Sequence, residues 1–292
     1  MEAFVVSTVV QLILYWGISF CIVVLVQWMD AGTRRDFSSV AMTGAVALLF
    51  MHASSYLLLG PDNYLPKRYR IVTPELIRDV QAFLFPVGLV WLMGSVLLLI
   101  RLVNSYSKAK LLMKDAEQWG PWAWVSSKVD MPMALDWRSP KVLMPIEAKE
   151  WPEEKLKAIA VHERAHLRTG DVLSAFHVNL SFALCWPIPL VWIVSRWFWR
   201  DVEMAADDAV LREGVPAERY AELLLEAAGR SGRSETNASV IGIMRGMWLE
   251  DRIRSILNSR QRRTKRIEGN SLLPLAVFLV LWNWIYRIGF RA

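Results

Sequence analysis

Cysteine and histidine are scarce in this chain: 292 residues contain two of the first and four of the second. Cys21 and Cys185 both sit inside apolar stretches, which fits packed thiols and excludes a disulfide framework, thiolate metal site or redox pair. No internal repeat occurs, and the long apolar runs are almost free of ionisable residues, so the usual marks of a transporter are missing. No RNA- or DNA-binding motif occurs either. The formal charge of +6 is clustered beside apolar segments, as in Arg260, Arg262, Arg263, Lys265 and Arg266. Such clusters are topology signals facing anionic lipid, and no direct nucleic-acid binding is expected.

What the chain has in excess is apolar residues. They make up 54% of it, with a mean hydropathy of +0.27, more than a soluble domain carries. Fifteen tryptophans, several near the ends of apolar runs, suit anchoring at a membrane interface. Ala3 to Trp28, Ser38 to Leu59 and Ala82 to Ile100 lack charge over 26, 22 and 19 positions, and Gly269 to Tyr286 over 18. Each can cross ~30 Å of hydrocarbon as a helix. The first is too long for a cleaved signal peptide, starts with Glu2 instead of a basic residue and shows no convincing cleavage site. Four spans are therefore predicted, with a three-span region over 1–105 and the last span plus a short tail over 268–292.

The basic clusters orient these spans. Arg34 and Arg35 follow the first, Arg101, Lys108, Lys110 and Lys114 follow the third, and the 260–266 cluster precedes the fourth. With the N-terminus outside, all three lie in the cytoplasm, together with the region 106–267. The loop 60–81, despite Lys67, Arg68 and Arg70, is then extracytoplasmic.

Within 106–267 lies His162-Glu163-Arg164-Ala165-His166. On a helix this HExxH pattern sets two imidazoles one turn apart with a carboxylate beside them, which is a zinc site with its own general base. Trp151-Pro152-Glu153-Glu154 opens the helix, with proline early and acidic residues in the first turn. Lys141 to Pro145, bounded by Pro140, is predicted as an edge strand, suited to holding an extended peptide or serving as scaffold. His52 and His177, within apolar segments, are expected to be packing residues.

Val172 to Ser195 is uncharged over 24 positions and by hydropathy alone would be a fifth span. The metal argues otherwise: a straight helix of that length separates its ends by ~36 Å, while zinc ligands all lie within ~2.2 Å of one ion. Trp186-Pro187-Ile188-Pro189 supplies a break. The segment is therefore predicted to be a helical hairpin over 172–199 whose apolar tip dips into the inner leaflet. On its returning arm Glu203 and Asp207 share a face. Glu203 is assigned as third ligand and Asp207 as the carboxylate that orients a liganding imidazole; Asp201, Asp208 and Asp171 are rivals.

Residues roughly 130–265 resemble the membrane-embedded gluzincin domain of the BlaR/MecR antibiotic-sensing transducers, and more distantly the HtpX and CaaX-prenyl proteases. The landmarks are Val142-Leu143-Met144-Pro145 after Pro140, the HExxH pentapeptide with Gly170-Asp171, and Trp186-Pro187-Ile188-Pro189-Leu190-Val191-Trp192. Arg200 to Asp207, Tyr220 to Leu224 and Leu249 to Arg254 complete the set. Asp136 departs from it, standing where the family often has glycine. The resemblance implies a mainly α membrane protein with a cytoplasmic α+β gluzincin domain, a small sheet beside the HExxH helix. It also implies a bacterial inner-membrane zinc endopeptidase that cuts itself or a protein partner, such as a transcriptional repressor.

His162, His166 and Glu203 would then hold one Zn2+, with Glu163 as base for the hydrolytic water. Tyr220 and several arginines are candidates for oxyanion stabilisation. The alternative is a silent signalling scaffold that keeps the zinc site, and a homo-oligomer is compatible with either. No penicillin-binding domain is expected after the fourth span, so β-lactam sensing is not carried over; Ser105-Tyr106-Ser107-Lys108 matches SxxK by accident. Gly229 to Ser234 is predicted to be an exposed loop.

Overall fold

A computed structural model describes residues 30–44, 74–135, 141–231, 248–260 and 263, with backbone alone for 74–85 and 230–231. The first and fourth predicted spans, most of the second, His52, Asp136 and Pro140 lie outside these residues. The described chain is mostly helical, with one small mixed sheet.

Helix α1 covers residues 31–44. Asp30 caps it, accepting hydrogen bonds from the Thr33 backbone N–H at 3.1 Å and the Thr33 hydroxyl at 2.9 Å; a short acidic side chain at this position satisfies donors the first turn leaves open. Helix α2, Pro74–Lys114, starts inside the stretch expected to be the loop 60–81 and continues past Ser105. Its section Pro86–Lys114 is the one candidate membrane span among the described residues. Leu92, Met93 and Leu97 there are 60–65% exposed, which is costly in water and natural against lipid.

Four short strands follow: β1 Glu117–Gln118, β2 Ala123–Ser126, β3 Met133–Leu135 and β4 Lys141–Pro145. They are ordered β1-β2-β4-β3, with β2 and β4 parallel and the outer pairs antiparallel. This corrects the prediction that 141–145 is an edge strand. Val142, Leu143 and Met144 are all buried, the continuous run expected of a strand covered on both faces; flanking prolines pointed to an edge, but Pro145 ends the strand instead of interrupting it. Among the described residues the outer strand near the HExxH helix is β3, which packs on that helix.

Helix α3 is Glu153–Arg168. One side meets the sheet through Leu156, Ile159 and Leu167, which pack on Val125, Val142 and Met144. Ala158 belongs to a second core with Val210, Tyr220, Leu223 and Ile256. Gly170, at φ 67°, turns the chain into α4, Asp171–Cys185; the left-handed conformation is cheap only for glycine and permits this short junction. Trp186 to Ile188 then reverse the chain, and α5, Pro189–Arg212, returns with proline in its first turn. The 24-residue uncharged segment is thus broken at the expected place. At about 22 Å for 15 residues, α4 is too short to cross a bilayer.

The hairpin tip is fastened to α2. Trp186 Nε1 donates to the Trp91 carbonyl at 3.2 Å, and Trp91 Nε1 donates to the Leu184 carbonyl at 2.6 Å. Gly94 makes room for this: a Cβ there would lie 2.5 Å from the Trp186 ring. Below the tip, Val178, Cys185, Val191, Val194 and Phe198 form a core with Met42 of α1, and Cys185 is fully buried in it. Helix α6, Ala217–Ser231, and helix α7, Leu249–Leu257, pack on each other and close the far side of α5. The predicted loop beginning at Gly229 is corrected, since 229–231 are the last residues of α6, and 232–234 lie outside the described residues. Ser105 Oγ donates to the Arg101 carbonyl at 2.9 Å, an ordinary bond within α2.

Candidate metal centre

The α3 pentapeptide and the α5 acidic face come together because α5 packs directly against α3. His162 and His166, four residues apart, lie on one side of α3. Glu203 enters from α5, and all three are under 9% exposed. One ligand atom from each lies within 4.8 Å of the other two. The two Nε2 atoms are 3.3 Å apart, His162 Nε2 is 3.5 Å from Glu203 Oε2, and His166 Nε2 is 4.0 Å from Glu203 Oε1. A tetrahedral ion with bonds of about 2.1 Å sets its ligand atoms about 3.4 Å apart. The two imidazole nitrogens and the His162–Glu203 pair meet that spacing, while His166 faces the other Glu203 oxygen at a longer distance, and no residue has to change helix face.

The opposite ring nitrogens are held as well. His166 Nδ1 lies 2.9 Å from Asp171 Oδ2. His162 Nδ1 lies 3.2 Å from Asp207 Oδ1 and 3.0 Å from the Tyr220 hydroxyl. A carboxylate at Nδ1 keeps the proton there and turns the Nε2 lone pair toward a cation. Asp171, a rival in the sequence, therefore takes a place equivalent to that of Asp207, one for each imidazole. Asp201 and Asp208 lie elsewhere, accepting from Arg34 and Arg200 and from Arg263 respectively.

Arg252 of α7 completes the buried polar network. Its Nε and Nη2 donate to the two Asp207 oxygens at 2.8 and 2.7 Å, and Nη1 lies 3.1 Å from Glu203 Oε2. Burial alone would raise the Asp207 pKa, but the charge and hydrogen bonds of Arg252, helped by His162, hold that carboxyl well below the usual range. Burial also disfavours a charged His162; Asp207 and Glu203 outweigh it and lift the imidazole to about 9. Tyr220 is pushed well above 10 by burial and by Asp207, and its hydroxyl donates to Asp207 at 2.7 Å. The hydroxyl thus bonds the groups that orient His162.

The buried charges bear on what the cluster can hold. Glu163, Asp171, Glu203 and Asp207 are buried together with the guanidinium groups of Arg35 and Arg252. Four acids face two guanidinium groups and the raised His162 imidazole, and buried charge of one sign is costly unless balanced. A divalent cation among the three donors restores the balance, so the residues present fit such an ion.

Arg252 and Arg35 are the residues that sequence reasoning missed. Arg252 stood within a quoted landmark without a role, although the spacing Asp251-Arg252-Ile253 on an amphipathic helix could have hinted at an inward cation. Arg35 carried no such signal: it was indistinguishable from a topology charge, yet it is 2% exposed and its Nη1 donates to Asp171 Oδ1 at 2.5 Å.

A buried His–His–Glu cluster on two packed helices, with HExxH supplying the first two, is the arrangement that defines a class of metallopeptidases. The sequence profile of the BlaR1 peptidase M56 family matches residues 72–256, more than half of the 292 residues, and the chain belongs to that family. No curated protein matches it.

Proposed function

We propose that the chain is an integral-membrane zinc endopeptidase that hydrolyses a peptide bond in a protein, either itself or a cytoplasmic or membrane-associated regulator. The observation that carries this reading is the convergence of His162, His166 and Glu203 within 4.8 Å, with Asp171 and Asp207 behind the imidazoles. Zinc held there would supply Lewis acidity and bring a water's pKa toward ~7. The chain's own residues do the rest. Glu163, 3% exposed and next to His162 on α3, takes the proton from the attacking water and returns it to the amine nitrogen as the C–N bond breaks. Asp171 and Asp207 fix the imidazoles, while Arg252 keeps Asp207 ionised.

A substrate in extended form has a natural place on β3, the outer strand of the sheet among the described residues, which lies against the HExxH helix. Main-chain pairing there gives affinity with little sequence demand. In this reading the lipid-facing side chains of α2 and the tip at Trp186 set the site at the inner face of a bacterial cell membrane. The positive clusters direct it to the cytoplasm.

Comparing the cellular proteome with wild-type protein and with Glu163→Gln, each checked for equal zinc, tests the function. A product present only with wild type names the substrate. Equal cleavage by the variant would remove Glu163 as base, and the absence of any product, including self-cleavage, would favour a zinc-bearing signalling scaffold.

A further inference from the structure

Two arginines from distant parts of the chain end the two carboxylate–imidazole pairs. Arg252 does so for Asp207 and His162, and Arg35 for Asp171 and His166. The second case is unexpected, because Arg35 belongs to α1, more than a hundred residues before the HExxH helix and just past the first predicted span. Its guanidinium is held on both sides: Nε and Nη2 donate to Asp36 Oδ1 at 3.2 and 2.8 Å, and Nη1 to Asp171. Asp171 opens α4, and its other oxygen faces His166 Nδ1 at 2.9 Å.

We propose that Arg35 is a positioning residue of the metal centre, acting through Asp171 on His166, so that α1 completes the site. This rests on the reading that His162, His166 and Glu203 bind a divalent ion. The physical reason is the state of Asp171. A carboxylate that is 5% exposed and deprived of its guanidinium loses the bond that fixes its orientation and turns toward other donors. It then stops fixing the proton on His166 Nδ1, and Nε2 loses both orientation and basicity. Loss of a carboxylate behind a liganding imidazole typically weakens metal binding ~10 to 100-fold; removal of Arg35, one bond further out, is expected to fall near tenfold.

Arg34 provides a control on the same helix. It also binds a buried carboxylate across to the hairpin, Asp201, with Nη2 at 2.9 Å and Nε at 3.1 Å, but Asp201 pairs with Arg34 and Arg200 instead of a candidate ligand. If α1 mattered only by docking, the two arginines would be equivalent.

The test uses the full chain in detergent. Zinc affinity is measured by competition with a chromophoric chelator, and the Co2+-substituted protein reports ligand geometry through its visible absorption. Arg35→Gln is expected to weaken zinc about tenfold and to alter the cobalt spectrum, while Arg34→Gln leaves both close to wild type. Arg35→Gln/Asp171→Asn removes both charges and so avoids leaving one buried alone. It should bind zinc no more weakly than Asp171→Asn, and this comparison carries the test if Arg35→Gln does not accumulate. Wild-type affinity in Arg35→Gln, an equal loss in Arg34→Gln, or a further loss in the double variant would overturn the proposal. A wild-type chain that binds no zinc, or a His166→Ala variant that binds it as well as wild type, would instead show that the metal reading itself had failed.

Discussion

Arg252 is the side chain whose removal most sharply separates charge balance from packing at this site. It is 7% exposed and supplies a guanidinium to both Asp207 and Glu203. Arg252→Met keeps much of its length and apolar bulk but leaves two buried carboxylates with His162 as the nearest cation. Breaking a buried ion pair by removing one partner costs about 3–5 kcal/mol. At roughly 2–4 °C per kcal/mol for chains of this size, the thermal midpoint of the metal-free protein should fall by about 6–20 °C.

Zinc changes that outcome in a way that packing cannot. Any ligand that binds only the folded state stabilises it by an amount that grows with the logarithm of its concentration over Kd, about 2.7 kcal/mol at a hundred times Kd. Arg252, unlike Arg35, also lies 3.1 Å from a candidate ligand oxygen, Glu203 Oε2; in the variant the ion takes over the positive charge at that oxygen, a gain that outweighs the lost support of Asp207, so the zinc-induced rise in midpoint should exceed that of wild type by several degrees. Arg252→Lys, which keeps the charge but loses the two-pronged geometry, should fall between them. The assay is thermal unfolding in detergent at a fixed scan rate, with and without zinc at the same excess. A zinc-induced rise in Arg252→Met equal to or smaller than that of wild type would refute the charge argument and leave Arg252 as a packing residue.

Two further substitutions probe the surroundings. Tyr220→Phe removes a buried hydroxyl that donates to Asp207 and lies 3.0 Å from His162 Nδ1; a loss of about 1–3 kcal/mol in thermal or denaturant stability is expected. Cleavage by that variant should stay within about tenfold of wild type, whereas a loss near 10²–10³, the scale of a missing oxyanion donor, would restore Tyr220 to a catalytic role. Gly94→Ala drives a methyl into the Trp186 ring, 2.5 Å from the new Cβ, and should destabilise the chain by about 1–3 kcal/mol. Trp186→Ala should relieve that specific penalty, so non-additive midpoints in the double variant are the outcome to measure, and strict additivity would mean that the tip does not rest on α2.

Much of the site was legible because HExxH and the ExxxD spacing each lie within one helix, where residue separation alone dictates a shared face. The hairpin was legible for a different reason. A metal imposes distances of a few ångströms, and Glu203 could not reach the histidines unless the apolar segment turned at Trp186-Pro187-Ile188-Pro189. Sheet order was not legible: Lys141 to Pro145 looks the same in isolation whether β3 covers its outer side or not, and Met133–Leu135 is too short to announce itself. Arg35 and Arg252 escaped because their partners are fixed only by tertiary packing. An arginine beside an apolar run looks like a topology charge until α1 is laid against the start of α4. Asp171 could have been preferred over Asp201 and Asp208, since it follows His166 by five residues across a glycine turn that brings the chain straight back.

The zinc K-edge absorption spectrum of the purified full-length chain tests the metal centre most directly. One bound zinc per chain is expected, with a first shell of nitrogen and oxygen alone at ~2.0–2.2 Å and the outer-shell scattering of two imidazoles, which drops to one in His166→Ala. Sulfur scattering at ~2.3 Å, an imidazole count unchanged in His166→Ala, or zinc that washes away would contradict a centre built from His162, His166 and Glu203.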